Sequence, residues 1–197
     1  MKKLLFAMVM ACAGLGISAA EVSAQQNPMV GGAAMYRTKN IVENAMNSQD
    51  HTTLVAAVKA AGLVETLAGK GPFTVFAPVN AAFDKLPAGT VETLLRPENK
   101  DALTQILTYH VVAGRLDAKS IARAIKKGGG TATFKTVSGN TLTASMNGPV
   151  LVLRDERGGT SAVQIADVFQ SNGVIHVVDT VLMPGEKMMS GGMKKTM

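Results

Sequence analysis

Helical and strand periodicities are segregated along this chain. Apolar residues recur at helical spacing through Leu54, Val55, Val58 and Ala61, then through Leu63, Val64 and Leu67, and again through Leu103, Ile106 and Leu107. Beyond Gly128-Gly129-Gly130 the chain reads as strands divided by turn residues at Ser138-Gly139-Asn140, Asn147-Gly148 and Arg154–Thr160. Helices bunched first and strands second point to an α+β domain rather than a parallel doubly wound sheet, in which the two would alternate.

Boundary signals refine this reading. Asp50 is placed to cap a helix by accepting from the amides of Thr52 or Thr53, Asn80 to cap a short turn through Phe83, and Thr90 to cap a helix carrying Val91, Leu94 and Leu95. Pro97 suits a first helical position, and Ser120 opens a last helix that carries Ile121 and Ile125. Strands are expected at 73–77, 109–112, 131–136, 141–145, 150–153, 161–166 and 174–183. The last is apolar on both faces, so it should be covered on both sides.

The ends stand apart from this core. Lys2 and Lys3, the uncharged run Leu4 to Ile17 and the small residues of Val22-Ser23-Ala24 have the layout of a secretory signal peptide over residues 1–24. The run is shorter than the ~20 residues needed to span a bilayer, and the expected location is secreted, in the periplasm or the extracellular space or matrix. Val9-Met10-Ala11-Cys12 loosely resembles a lipidation site, but the apolar run continues past it. Cys12 is the single cysteine, so cleavage leaves no disulfide, thiolate metal site or thiol nucleophile. Residues 25–36 read as an extended arm, 37–184 as one domain and 185–197 as a flexible Met-rich tail.

Composition and motifs exclude several functions. The formal net charge of +6 comes from scattered Lys and Arg, and aromatics are 4% with no Trp, so no nucleic-acid groove, no aromatic-lined sugar groove and no stacking platform for single strands is expected. His51, His110 and His176 form no metal-type pair, no nucleophile elbow is present, and Lys70-Gly71 and Gly128–Gly130 lack phosphate-cradle patterns, so no cofactor is expected. His110 and His176 sit in apolar strands, where they serve either as a pH switch or metal pair, or as imidazoles bonded to backbone groups that close the sheet. Twelve methionines leave one soft-metal candidate, a Cu(I) site at Met188, Met189 and Met193.

Three segments carry a family resemblance. Gly71 to Phe83 resembles the first signature box of the fasciclin domain, Leu107-Thr108-Tyr109-His110-Val111-Val112 its tyrosine–histidine motif, and Gly173 to Pro184 its closing box. Order and spacing agree. Val79 departs from the first box, where Thr is common, and Asn80 would take over its capping role. The resemblance implies a β-sandwich or wedge with helices packed along one side, in a non-catalytic exported module for cell adhesion or matrix and envelope protein–protein contact. Asn99-Lys100-Asp101-Ala102-Leu103 is similar to a segment implicated in integrin binding in animal relatives. The other reading of that segment is a solvated helix start with Leu103 packed inward.

The candidate binding residues are therefore Arg96, Glu98, Asn99, Lys100 and Asp101, which Pro97 stiffens, with Tyr109 and His110 of the motif beside them. The expected partner is an extracellular or envelope protein or polysaccharide, with no nucleic acid and no membrane span, and weak self-association stays open. The alternative function is a periplasmic small-ligand or copper sensor or carrier using Met and His.

Overall fold

The computed structural model describes residues 27–185. The segment 1–24 expected to be a signal peptide and most of the expected tail, with Met188, Met189 and Met193, lie outside the described residues.

In chain order the elements are β1 Met29–Val30, β2 Ala33–Ala34, α1 Ile41–Ala45, a 3-10 turn Gln49–His51, α2 Thr52–Ala61, α3 Val64–Ala68, β3 Phe73–Pro78, α4 Asn80–Asp84, α5 Thr90–Leu94, a 3-10 turn Pro97–Asn99, α6 Lys100–Tyr109, β4 Val111–Ala113 and α7 Ala118–Lys127. The strands β5 Thr131–Lys135, β6 Thr141–Asn147, β7 Val150–Arg154, β8 Thr160–Gln170 and β9 Gly173–Val178 complete the chain. The α+β class is as expected, since among the described residues all seven α-helices precede the five-strand run from β5 to β9.

Seven strands form one sheet in the order β4-β3-β9-β8-β7-β6-β5. All neighbours are antiparallel except β3 and β9, which run parallel from Phe73 opposite Gly173 to Pro78 opposite Val178. A bridge between Val112 and Thr136, and the Val137 amide donating to the Val111 carbonyl at 2.8 Å, bring β4 against the far edge, so the sheet nearly closes on itself. Near-closure removes most of the open edge that would otherwise template aggregation.

Alternation along β3 divides its side chains between two cores, and a smaller third cluster gathers Ala82, Ile106 and Val181. Val75 and Ala77 face a helix-side core with Leu54, Ala57 and Val58 of α2, Leu103 and Leu107 of α6, and Ile175 and Val177 of β9. Phe76 faces a second core with Tyr109, Ile121 and Ile125 of α7, Leu142, Leu153, Val178 and Leu182. Serving both cores leaves β9 buried at every position, which is why its sequence is apolar on both faces. Helices α1 to α3 and α6 thus share one face of the sheet, and α7 packs with β5 and β6 in the other core.

Several boundaries moved, each because a distant group intervened. Asp50 lies inside the 3-10 turn and does not cap α2; Asn80 accepts from the Thr53 amide at 3.0 Å and donates to the Gln49 carbonyl at 2.8 Å. Asn80 therefore caps α2 and not its own turn, which starts from Val79 with no side-chain cap. Gly89, with φ of 78°, and not Thr90, precedes α5. Asp117 caps α7 by accepting from the Ser120 amide at 2.7 Å, so this helix begins ahead of Ser120. Tyr109 ends α6 instead of starting a strand, and β9 stops at Val178. The β6–β7 turn is Gly148-Pro149 with Gly148 at φ of 58°, a mirror-type hairpin that needs Gly first. The described part of the arm pairs as β1 with β2 and buries Val30 and Met35 in the helix-side core.

Candidate functional site

Each histidine serves the protein itself. His110 follows α6 and is 3% exposed; its Nδ1–H donates to the Ile106 carbonyl at 2.8 Å and its Nε2 accepts the Leu182 amide at 3.0 Å. His176 is wholly buried in β9, where Nε2–H donates to the Leu116 carbonyl at 2.8 Å and Nδ1 accepts the Asp167 amide at 3.3 Å. The two rings therefore hold opposite neutral tautomers, each fixed by a carbonyl that can only accept. Burial pulls both pKa values down, against the Ile106 and Leu116 carbonyls. His51 is also buried, sharing a 2.8 Å hydrogen bond with Ser48 Oγ. Its Nε2 has no hydrogen-bond partner, and burial lowers its pKa against the backbone of Ala77 and the charge of Asp50.

His176 explains a kink in the sheet. The register of β8 against β9 slips on both sides of Ile165, and Asp167 takes φ of 60°, unusual for a residue with a side chain. That conformation turns the Asp167 amide to His176 while Oδ1 of Asp167 accepts from the Ala118 amide at 2.7 Å. The bulge thus fixes the start of α7.

Tyr109 is wholly buried and donates its hydroxyl to the Thr141 carbonyl at 2.8 Å, which ties α6 to β6. Burial is the main cause that pushes its pKa above the ordinary phenol range. Tyr109 and His110, expected beside the binding segment, cannot touch a partner from these positions. They hold the segment's helix in place instead.

The segment itself lies on the surface. Arg96, Glu98, Lys100 and Asp101 are exposed, and Pro97 opens the 3-10 turn between α5 and α6. Asn99 is half-buried and donates to the Thr93 carbonyl at 2.7 Å, and Leu103 is buried just beyond. These two anchor the turn, and the four charges project from it. Lys100 reaches back over Gly62, the last cap of α2, its Nζ 3.4 Å from where a side chain there would begin. A cation at that helix end is favourable.

Sequence reasoning missed the polar groups that join distant elements. Glu156 accepts from the side chain of Asn140 at 2.7 Å, the Thr141 amide at 2.9 Å and the Gly185 amide at 3.0 Å. These bonds, the Thr141 amide foremost, draw its pKa down to about 2. Asn44 exchanges two bonds with the Tyr36 backbone and donates to the buried Gln170. Neither network has a local spacing that announces it. Among the described residues no group of three or more His, Cys, Asp or Glu could hold a metal ion, and no helix is long and apolar enough to cross a membrane.

The fasciclin-domain family model matches residues 49–184 of this sequence. The chain belongs to the fasciclin domain family. Protein sll1483 of Synechocystis sp. is 46% identical over 162 residues, covering 81% of this chain and 82% of that one. Immunogenic protein MPB70 of Mycobacterium bovis is 34% identical, covering 93% of this chain and 97% of its own. Cell surface glycolipoprotein MPB83 of the same species is 34% identical, covering 86% and 72%. In this fasciclin domain the first box forms β3 and α4, the tyrosine–histidine motif joins α6 to β4, and the closing box forms β9 and the buried segment after it. The boxes are therefore the parts that meet at the parallel β3–β9 pair and around His110.

Proposed function

We propose that this fasciclin domain is a non-catalytic, exported binding module that meets an envelope or matrix protein through Arg96, Glu98, Lys100 and Asp101. The observation that carries this reading is the placement of the four charges. All four are exposed where the short turn enters α6, Arg96 and Glu98 at the turn and Lys100 and Asp101 in the first turn of the helix, and Pro97, Asn99 and the buried Leu103 hold this junction in shape. A stiff turn loses little entropy when a partner binds, and charges of both signs select partners and speed encounter. Fasciclin domains mediate protein interactions, and the relative MPB83 carries a cell-surface name. The internal hydrogen bonds of His110 and His176 support the non-catalytic part, because neither ring is free to exchange a proton with a substrate.

The test is attachment of the full-length protein, expressed with its own leader, to the envelope fraction of its native cells. Arg96→Ala, Glu98→Ala and Asp101→Ala together should weaken attachment and leave the melting temperature nearly unchanged. Attachment that survives in the folded triple variant would move the surface elsewhere, and turnover of a substrate would overturn the non-catalytic reading.

A further inference from the structure

A second surface, away from the Arg96–Asp101 turn, has the features of a binding cleft. Asn40, Ala68 to Pro72, Arg115, Ser171 and Asn172 line an open cleft of about 570 Å³. That volume lies within the ~300–1,000 Å³ of small-ligand sites. Its charged lining residues are Lys70 and Arg115, with no carboxylate among them. Neither takes part in an ion pair, since Lys85 with Asp179 is the one ion pair among the described residues. Arg37 stacks on Phe169 and Lys39 on Tyr36, and the Lys39 carbonyl accepts from the Ser171 amide at 3.0 Å.

The cleft is built rather than incidental. Arg115 Nη2 donates to the carbonyls of Gln170 and Ser171 at 3.1 and 3.2 Å, which holds the guanidinium in place and leaves the rest of its fork for a ligand. Gln170 is 2% exposed and is held in turn by Asn44. Asn172 accepts from the Ile41 amide at 3.0 Å and donates to the carbonyls of Leu67 and Gly69 at 2.8 and 2.9 Å, so it clamps two walls together. Gly71 forms part of the floor. A side chain there would begin 1.9 Å from the Asn172 carbonyl oxygen, so the two backbones can only meet at glycine. The carboxylates that flank the cleft wall in sequence are occupied: Asp117, two residues after Arg115, accepts from the Ser120 amide at 2.7 Å, and Glu43, three after Asn40, accepts from the Asn40 amide at 2.8 Å.

From these features we propose that the cleft binds a carboxylated polysaccharide, taking a uronate carboxylate between Arg115 and Lys70 and sugar hydroxyls on Asn40 and Ser171. A fixed guanidinium matches a planar carboxylate with two parallel hydrogen bonds. The amide and hydroxyl lining suits a ligand that offers hydroxyl groups beside its charge. An acidic peptide offers the charge without the hydroxyls.

The test is titration calorimetry of the full-length mature protein with tri-galacturonate, its methyl ester, inorganic phosphate and a short poly-aspartate peptide. Tri-galacturonate should bind and the methyl ester should not. Lys70→Gln should weaken binding by roughly tenfold, the loss of one charge-assisted contact. Lys126→Gln, an equal loss of charge on α7, should leave binding unchanged. Arg115→Lys keeps the charge and one donor to the backbone, and should also weaken binding while the protein still melts cooperatively. Equal binding of the methyl ester, an equal effect of Lys126→Gln, displacement by phosphate at matching concentration, or tighter binding of poly-aspartate would each overturn the assignment. None of these variants touches Arg96, Glu98 or Asp101, so failure here leaves the protein-contact reading untouched.

Discussion

Nε2 of His110 accepts the amide of Leu182 at 3.0 Å, joining the end of α6 to the segment that follows the last strand. Leu182 is itself wholly buried in the second core. A proton on that nitrogen would set an N–H against an N–H in a buried site.

A stability loss on mild acidification follows. An unfolded histidine titrates near ~6.5, and burial holds His51, His110 and His176 below that value in the folded state. The unfolded chain therefore takes up more protons as pH falls through ~6.5, and stability present above it is lost below it, until the folded rings titrate. The melting temperature should fall between about pH 7 and about pH 5. His110→Gln should flatten that dependence while lowering stability at neutral pH. A melting curve that does not move over this range would contradict the neutral, buried assignment.

Glu156 should act at lower pH with the opposite origin. Its carboxylate is held down to about 2 by the Thr141 amide, Asn140 and Gly185, so its contribution is present above the ordinary carboxylate pKa and lost as pH falls toward about 2. Glu156→Gln should cost about 1 kcal/mol at neutral pH, the low end for charged hydrogen bonds because the group is exposed. It should also remove part of the acid-unfolding slope in a urea titration repeated across that range.

Asn80 and Asp50 give a direct contrast. Asn80→Ala should cost about 1 kcal/mol by uncapping α2. Asp50→Ala should stay within about 0.5 kcal/mol. Equal effects in chemical denaturation would restore the local cap and discard the distant one.

Phe76 is wholly buried and stacks on His176 with ring centroids 5.6 Å apart. Phe76→Ala should cost about 3–5 kcal/mol from lost burial and the cavity left behind. Ile175→Ala on the neighbouring strand should cost about 2–5 kcal/mol. A loss below about 1 kcal/mol for either, by urea denaturation, would mean that the face assignment of β3 or β9 is wrong.

How far the sequence could be read depended on the distance over which each feature is determined. The apolar stripes of α2 and α6 and the alternation in β6 and β7 are local, and they were legible. The two-faced burial of β9 was legible too, because a strand without a polar face has nowhere to meet water. The caps were not: Asn80 bonds Thr53 from the far side of β3, and its own neighbours give no sign of it. Arg115 and Lys70 were equally silent, since the cleft exists only after β3 and β9 have met. At Arg96–Asp101 the mixed charges and Pro97 marked an exposed turn, but the inward use of Tyr109 and His110 depended on β6 and the closing box folding over them.

The parallel alignment of Phe73–Pro78 with Gly173–Val178 also sets the order in which this chain can mature. A ribosome that has reached Asn172 has made α1 to α7 and β1 to β8, yet β3 still lacks one neighbour and neither core beside it is complete. Loop closure across nearly the whole domain must precede the contacts that reward it. The nascent polypeptide is thus kept from locking into shape until its last strand is made.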